Sequence, residues 1–364
     1  MRFSRFGAAS LAAAALLVAA PAAADEVKKT LRAELSAAEV SNFSVENLAG
    51  TMRITPGSDG AVSVVVTVHA ETQALADGVR LERVSAPGEP PVWRVRYPDH
   101  VGTIRYRAPL DEDTYQISLG LSFSSSSYRY DGRTYRISPG HGRRLWADVL
   151  VRVPPLLTRA RFQNLAGLVD AEGLRGGLRL EVASADLHLR DMEGELSLHG
   201  SSGDVRASDI RGSWSSDFSS GDCELDHFEG KTVSLTTSSG DVHARDVRAG
   251  HLAVETSSGD VKIEDSDVEE FHGRASSGDL VLELNGDRLK DVQARTSSGN
   301  VTLRLPRDAS FEASASQSSG DMEVGFSGGI ATRHDDKLVG YRRGSNGTKI
   351  RIETSSGDLA ISPR

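Results

Sequence analysis

Carboxylates and hydroxyls recur along this chain at a nearly fixed spacing, and that recurrence defines the chemistry to be weighed. The tetrapeptide Ser-Ser-Gly-Asp stands at Ser201 to Asp204, Ser219 to Asp222, Ser238 to Asp241, Ser257 to Asp260, Ser276 to Asp279, Ser318 to Asp321 and Ser355 to Asp358, with an Asn-ending variant at Ser297 to Asn300. The paired positions are Gly203 and Asp204, Gly221 and Asp222, Gly240 and Asp241, Gly259 and Asp260, Gly278 and Asp279, Gly299 and Asn300, Gly320 and Asp321, and Gly357 and Asp358. Their glycines advance by 18, 19, 19, 19, 21, 21 and 37 residues. If each copy held the same place in a stack of coils, successive carboxylates would lie ~4.8 Å apart. Such a column could bind Ca²⁺ between coils through Asp and Ser oxygens. A pair of its carboxylates would also suit retaining glycoside hydrolysis. The serines, finally, invite comparison with a nucleophile.

None of these chemistries is well served by the surrounding residues. The calcium-binding nonapeptide requires Gly-Gly-x-Gly-x-Asp, and here each copy carries a single glycine. Ca²⁺ is therefore kept as a minor alternative, and no cofactor or metal is expected. A catalytic carboxylate pair should stand apart from its repeats beside unique aromatic or basic groups, which none of these Asp residues does. The chain has no Gly-x-Ser-x-Gly elbow, and eight equivalent serine pairs cannot all be nucleophiles. Its ten histidines lack the His-x-x-x-His spacing of a zinc site, and His243, His251 and His272 read as solvent-facing. Cys223 takes the position of Val205, Val242 and Val261 in other copies and reads as core. No catalytic residue is expected, and the motif has a local explanation. Glycine accepts a tight corner, Asp caps a turn amide, and Ser hydrogen-bonds within or between coils.

The elements that must carry these corners are strands. Apolar residues alternate in Val261-Lys-Ile263 after a glycine and in Leu252-Ala-Val254 before the next, the period of half-buried strands. Helical repeats are excluded, because Ser, Thr, Gly and Asp crowd the places where helices would run. One coil cannot bury its inward face alone, so stacking is forced. The expected fold is all-β: a single-stranded parallel β-solenoid, or β-helix, of 18–21-residue coils, each holding two short strands. Weaker copies at Ser184-Ala-Asp-Leu187 and Leu165-Ala-Gly-Leu168 carry the array back to about residue 147. Asn47-Leu-Ala-Gly50 duplicates Asn164-Leu-Ala-Gly167 and reads as a first coil. Eleven coils would make a rod of ~50 Å.

The chain divides into four parts. Residues 1–24 read as a signal peptide: Arg2 and Arg5 precede an apolar run, and Ala22 and Ala24 set up cleavage after Ala24. Residues 25–69 hold N-terminal strands and the first coil, 70–146 a Tyr-rich β insertion, and 147–364 the repeat domain. Within the insertion, Tyr130-Asp-Gly-Arg133 reads as a two-residue hairpin turn, and Ser124 to Ser127 as a flexible tip. Tyr97, Tyr106, Tyr115, Tyr128, Tyr130 and Tyr135 gather there with Trp93 and Trp146. Tyr128, Tyr130 and Tyr135 are candidates for a recognition surface, since aromatic faces stack on sugars; the competing expectation is that they pack the hairpin against the first coils. Gly328 to Lys349 reads as a polar loop, and Ile350 to Ile361 as the terminal coil, whose open edge needs protection.

Removal of Arg2 and Arg5 with the leader takes the formal charge from -9 to -11, which argues against nucleic acid and anionic lipid as partners. The sole cysteine leaves the exported chain to be held by packing alone. No later stretch is apolar enough to cross a membrane.

Phe43 to Gly50 leading into Val62 to Val68, Val149-Leu-Val-Arg-Val-Pro154 before Asn164 to Gly167, and the serial Ser-Gly-Asp coils together resemble a widespread bacterial family of putative adhesins. The resemblance covers about two thirds of the chain and implies an adhesin-like solenoid with no active site to carry over. The expected function is thus that of a non-enzymatic cell-envelope protein, periplasmic or at the cell surface, with an unknown protein or glycan partner. The alternatives are a periplasmic structural scaffold and a polysaccharide-active β-helix enzyme.

Overall fold

The computed structural model describes residues 26–35, 40–58, 60–86, 88–106, 125–286, 288–335, 337–345 and 347–364. The expected leader, Tyr115 and Ser124 lie outside them. Of the described residues 74% are strand, with one short helix, Gln73–Gly78.

The repeat stacks as a parallel β-solenoid. Leu187 lies beside Val205, Val205 beside Cys223, Cys223 beside Val242, Val242 beside Val261, and Val261 beside Leu280, all in parallel register. The alternating residues of these strands point inward and form one continuous apolar column, with Phe162, Trp214, Phe228, Phe271 and Phe311 as its largest members. Cys223 is buried in that column, and burial pushes its thiol up to about 12.

Most coils differ from the expected two short strands. Val205–Ser220, Cys223–Ser239, Val242–Ser258 and Val261–Ser277 are each one long strand bent at a second corner. That bend is made by Asp209, His227, Asp246 and Asp265, with φ of 56°, 55°, 51° and 48°. Short polar side chains tolerate this left-handed conformation better than other non-glycine residues. The next coil does divide in two, into Leu280–Leu284 and Asp291–Ser298.

At the N-terminal end, Phe43–Pro56 pairs in parallel with Leu157–Glu172, aligning Asn47 with Asn164 and Gly50 with Gly167. Its other side is covered in parallel by Val92–Arg96 and Arg143–Val153. Two antiparallel strands then close this end, Val62–Ala70 on Arg143–Val153 and Val27–Leu35 on Val62–Ala70. Within the insertion, Ser126–Tyr130 and Arg133–Ser138 form a hairpin with Tyr128 opposite Tyr135. Asp131 and Gly132 both adopt positive φ, 49° and 75°, as its two-residue turn requires. Ser126 and Ser127 belong to this strand and are not a loop tip.

The C-terminal end departs most from the sequence-based expectation. Thr348–Ser356 inserts between Asp291–Ser298 and Phe311–Ser319, and Leu359–Pro363 between Val301–Leu305 and Met322–Val324. The last coil in sequence is therefore next to last in space, and the Gly320 coil is the outermost one. The supposed polar loop is largely a hairpin of Ile330–His334 and Lys337–Arg343, whose second strand runs antiparallel on Phe311–Ser319. Parallel stacking stops there because the added strand runs the other way. Antiparallel strands lie at both ends of the rod, at the C-terminal end over Phe311–Ser314.

Candidate functional site

The Ser-Ser-Gly-Asp corners form a straight column, and their carboxylates are bound into the stack. Asp186 accepts the backbone N–H of Asp204 at 3.0 Å, Asp204 that of Asp222 at 3.1 Å, and Asp222 that of Asp241 at 2.9 Å. Asp241 takes the N–H of Asp260 at 2.8 Å, Asp260 that of Asp279 at 2.9 Å, and Asp279 that of Asn300 at 2.8 Å. The Asn300 amide oxygen accepts from Asp358, and Asp358 accepts from Asp321. Asp148 starts the series by accepting from Thr51 at 2.8 Å. A carboxylate holding an N–H offsets much of the repulsion from its neighbours, ~1 kcal/mol per pair in water. Among the described residues no group of three or more His, Cys, Asp or Glu side chains is arranged to hold a metal ion.

The glycine of each corner is explained chiefly by proximity. A Cβ at Gly203, Gly221, Gly240 or Gly259 would sit 2.1–2.2 Å from the carbonyl oxygen of the preceding rung. Gly259, Gly278, Gly299 and Gly357 show the same conflict without a left-handed φ, so backbone conformation alone does not demand glycine there. A second column of the same kind, Gly176, Gly194, Gly212 and Gly230, lines the other corner. Its 18-residue spacing is readable in the sequence, although these glycines lie outside the Ser-Gly-Asp motif.

Tyr128, Tyr130 and Tyr135 do not form a recognition surface. They are 8%, 3% and 3% exposed, so no ring face is open to a ligand. Tyr128 donates to Ser184, Tyr130 to the carbonyls of Glu46 and Val95, and Tyr135 to that of Tyr97. Tyr97, Tyr130 and Tyr135 pack edge to face, the arrangement favoured by aromatic quadrupoles. The insertion is thereby fastened over the first corners. Beneath it Asn47 and Asn164 are fully buried: Asn47 donates to the Asn164 oxygen and the Ala147 carbonyl, and Asn164 to the Gly50 carbonyl.

Ion pairs complete this attachment. Glu46, 5% exposed, is held by Arg94 at 2.6 Å and Arg161 at 2.9 Å; Arg94 and Arg96 grip Asp131 in the hairpin turn, each at 2.7 Å. His69 stacks on Trp146 and lies between Glu26 and Asp148, at 2.8 and 2.9 Å. Burial pulls the His69 pKa down, but the two carboxylates outweigh it and the net direction is up. The Asp186 pKa is raised to about 6, chiefly by burial and further by the charge of Asp204.

The solvent face that leads into the Ser-Ser-Gly-Asp corner holds two adjoining clefts. The smaller, of 190 Å³, has Ser234, Ala253 and Gly273 in its lining beside His272 and Gln293. The larger, of 520 Å³, runs along Ser257, Ser276, Ser297, Ser355 and Ser318. They share Glu255, Arg274 and Arg295 and so form one groove. Neither lining includes a tyrosine to accompany its acidic and basic groups. His243, on the opposite side of the strand bend, lies 2.6 Å from Glu264, while His251 and His272 meet edge to face at 4.8 Å. All three are partly exposed. The sequence periodicity hides this groove because its floor depends on Ala253, a small residue at an outward position that other coils fill with Ser234, His272 and Gln293.

Residues 213–362 match the Toastrack DUF4097 family model, in agreement with the resemblance carried by the Ser-Gly-Asp coils. A putative adhesin from Parabacteroides merdae is 9% identical, with 93% of this chain and 96% of that chain covered and a TM-score of 0.41. A putative adhesin from Parabacteroides distasonis is 12% identical, covering 92% of this chain and 97% of that chain, with a TM-score of 0.42. A putative lipid binding protein from Parabacteroides distasonis is 13% identical, with coverages of 92% and 96% and a TM-score of 0.38. No curated protein matches the chain. No helix among the described residues is long and apolar enough to cross a membrane.

Proposed function

We propose that this Toastrack-like solenoid is a non-enzymatic binding scaffold of the bacterial cell envelope, exported by residues 1–24 and acting through the side of its stack. The observation that carries this reading is the groove beside the Ser-Ser-Gly-Asp corner, which crosses neighbouring coils and shares Glu255, Arg274 and Arg295 between its two parts. Its hydroxyl, amide and charged groups suit recognition. The serines that border it belong to the repeat, so they form a row of similar groups and not a single activated nucleophile. Displayed outside the cell, such a scaffold works as an adhesin; retained in the periplasm, it meets envelope partners there.

Protease treatment of intact cells carrying an epitope-tagged chain tests the location, with a known periplasmic protein as control. Digestion in intact cells is expected for the adhesin. Protection until the outer barrier is opened would replace that reading with a periplasmic scaffold, and a cytoplasmic chain with its leader uncleaved would overturn the proposal. Release of oligosaccharides from a polysaccharide by the purified protein would overturn its non-enzymatic part.

A further inference from the structure

We infer that the occupant of this groove is an extended, uncharged glycan lying along the stack axis; this inference rests on the binding-scaffold reading. The groove crosses six neighbouring strands, those bearing Ser234, Ala253, His272, Gln293, Glu353 and Ser316. At the spacing of paired strands this is a track of about 24 Å from first to last strand. A linear polymer with a repeating unit fits such a track better than a compact small molecule.

Charge selects among polymers. Arg295 is held by Glu353 at 3.0 Å, whereas among the described residues Arg274 and Glu255 have no ion-pair or hydrogen-bond partner, and both are exposed. Two positive and two negative groups thus leave the groove with no net fixed charge, inside a protein that is acidic overall. A polyanion meets Glu255 and the field of the whole chain, and a polycation meets Arg274 and Arg295. A neutral chain of hydroxyl groups satisfies both signs, accepting from the guanidinium and donating to the carboxylate.

The backbone argues against a peptide. Along its length the groove runs across strands paired on both sides, and the one open edge, Ala315–Ser319 at its outer end, would seat an added strand across the stack and not along the groove. Recognition must come from side chains, and most of those in the larger cleft are hydroxyl, amide or charged. Ala253, flanked on neighbouring strands by Ser234 and His272, leaves the floor of the smaller cleft low, giving room for a sugar ring.

Titration calorimetry of the mature chain tests the inference with linear neutral hexasaccharides of β-linked glucose, mannose and xylose, alongside a polyuronate and a chitosan hexasaccharide. At least one neutral probe is expected to bind. Ala253→Trp, which fills the floor, and Arg274→Ala should each weaken that binding about tenfold or more, a difference easily resolved as free energy. Arg245→Ala, on the other side of the strand bend, should leave it unchanged, and thermal melting should show all three variants folded. Failure of every neutral probe to bind, binding confined to a charged probe, or equal affinity in wild type, Ala253→Trp and Arg274→Ala would overturn the inference. A chain that is digested in intact cells yet binds no neutral probe keeps its envelope role and loses this ligand.

Discussion

At the Gly50 and Gly167 rungs the repeat corner is covered by the insertion, whereas from Gly221 to Gly278 it stands open to solvent, and the two stretches tie their corners with different chemistry. The covered corners rely mainly on neutral amides: Asn47 and Asn164 donate to the carbonyls of Ala147 and Gly50, with Tyr97 donating to the Asn47 oxygen, alongside Asp148, which accepts the Thr51 N–H with its side chain 31% exposed. The open corners use carboxylates, each accepting the N–H of the next rung. Water solvates the unused side of a carboxylate at an open corner, while a covered one must do without it. Asp186 lies where the regimes meet: it continues the carboxylate column but is only 5% exposed, and its raised pKa records the mismatch.

Glycine is common to both stretches, so alanine there is the severest test. A Cβ at Gly167 or Gly221 would come within 2.2 Å of the preceding glycine carbonyl oxygen, and both positions have positive φ. Gly167→Ala and Gly221→Ala should each lose about 4 kcal/mol or more in urea unfolding. A cost confined to one of them would break the common basis of the comparison.

Glu46→Ala strikes the covered end alone. Arg94 keeps Asp131 and Arg161 keeps Glu181, but the carboxylate that joins them is lost. A destabilisation of about 3 kcal/mol is expected. Hydrogen exchange should locate it in Phe43–Pro56 and Leu157–Glu172, with protection retained in Val242–Ser258.

Asp186→Asn should act in the opposite direction. The folded protein holds the Asp186 proton up to about pH 6, against an ordinary value of 3.8. Its contribution to stability is therefore fully present below pH 3.8 and is lost as pH rises through 6. Asparagine removes this penalty while its amide oxygen still accepts the Asp204 N–H, as Asn300 accepts that of Asp358. The variant should gain about 2–3 kcal/mol at pH 7 and show a smaller decline between pH 4 and 6. Asp241→Asn, at an exposed rung, should change stability by less than about 0.5 kcal/mol at either pH, and a gain as large as that at Asp186 would erase the distinction between covered and open corners.

The corner column was legible in sequence because stacking repeats one local environment at every coil, and the same residue types answer it each time. The second corner was less so: Asp209, His227, Asp246 and Asp265 share a backbone conformation but not a residue type. The identity of Asn47 to Gly50 with Asn164 to Gly167 revealed two related coils, but not that both asparagines are buried and bonded to each other. Tyrosines at 128, 130 and 135 suited either packing or recognition by residue type, with packing favoured; their burial follows from the position of the hairpin over the first rungs. The groove was hidden for the same reason, since it depends on how Ala253, Arg274 and Arg295 from neighbouring coils come together.

Period, strand alternation and corner residues together determine that this chain winds as a parallel β-solenoid, because each coil must bury an inward face on its neighbours. They do not determine the order of the final coils. A Ser-Gly-Asp corner can stack on any other, so the Gly299, Gly357 and Gly320 rungs present nearly interchangeable surfaces. Tertiary structure settles the sequence of contacts: the hairpin Ile330 to Arg343 packs against Phe311–Ser319 and makes that coil the outer one, leaving Thr348–Ser356 to fill the place between it and Asp291–Ser298. Local sequence fixes what a rung is, and only the closure of the stack by an antiparallel strand fixes which rung comes last.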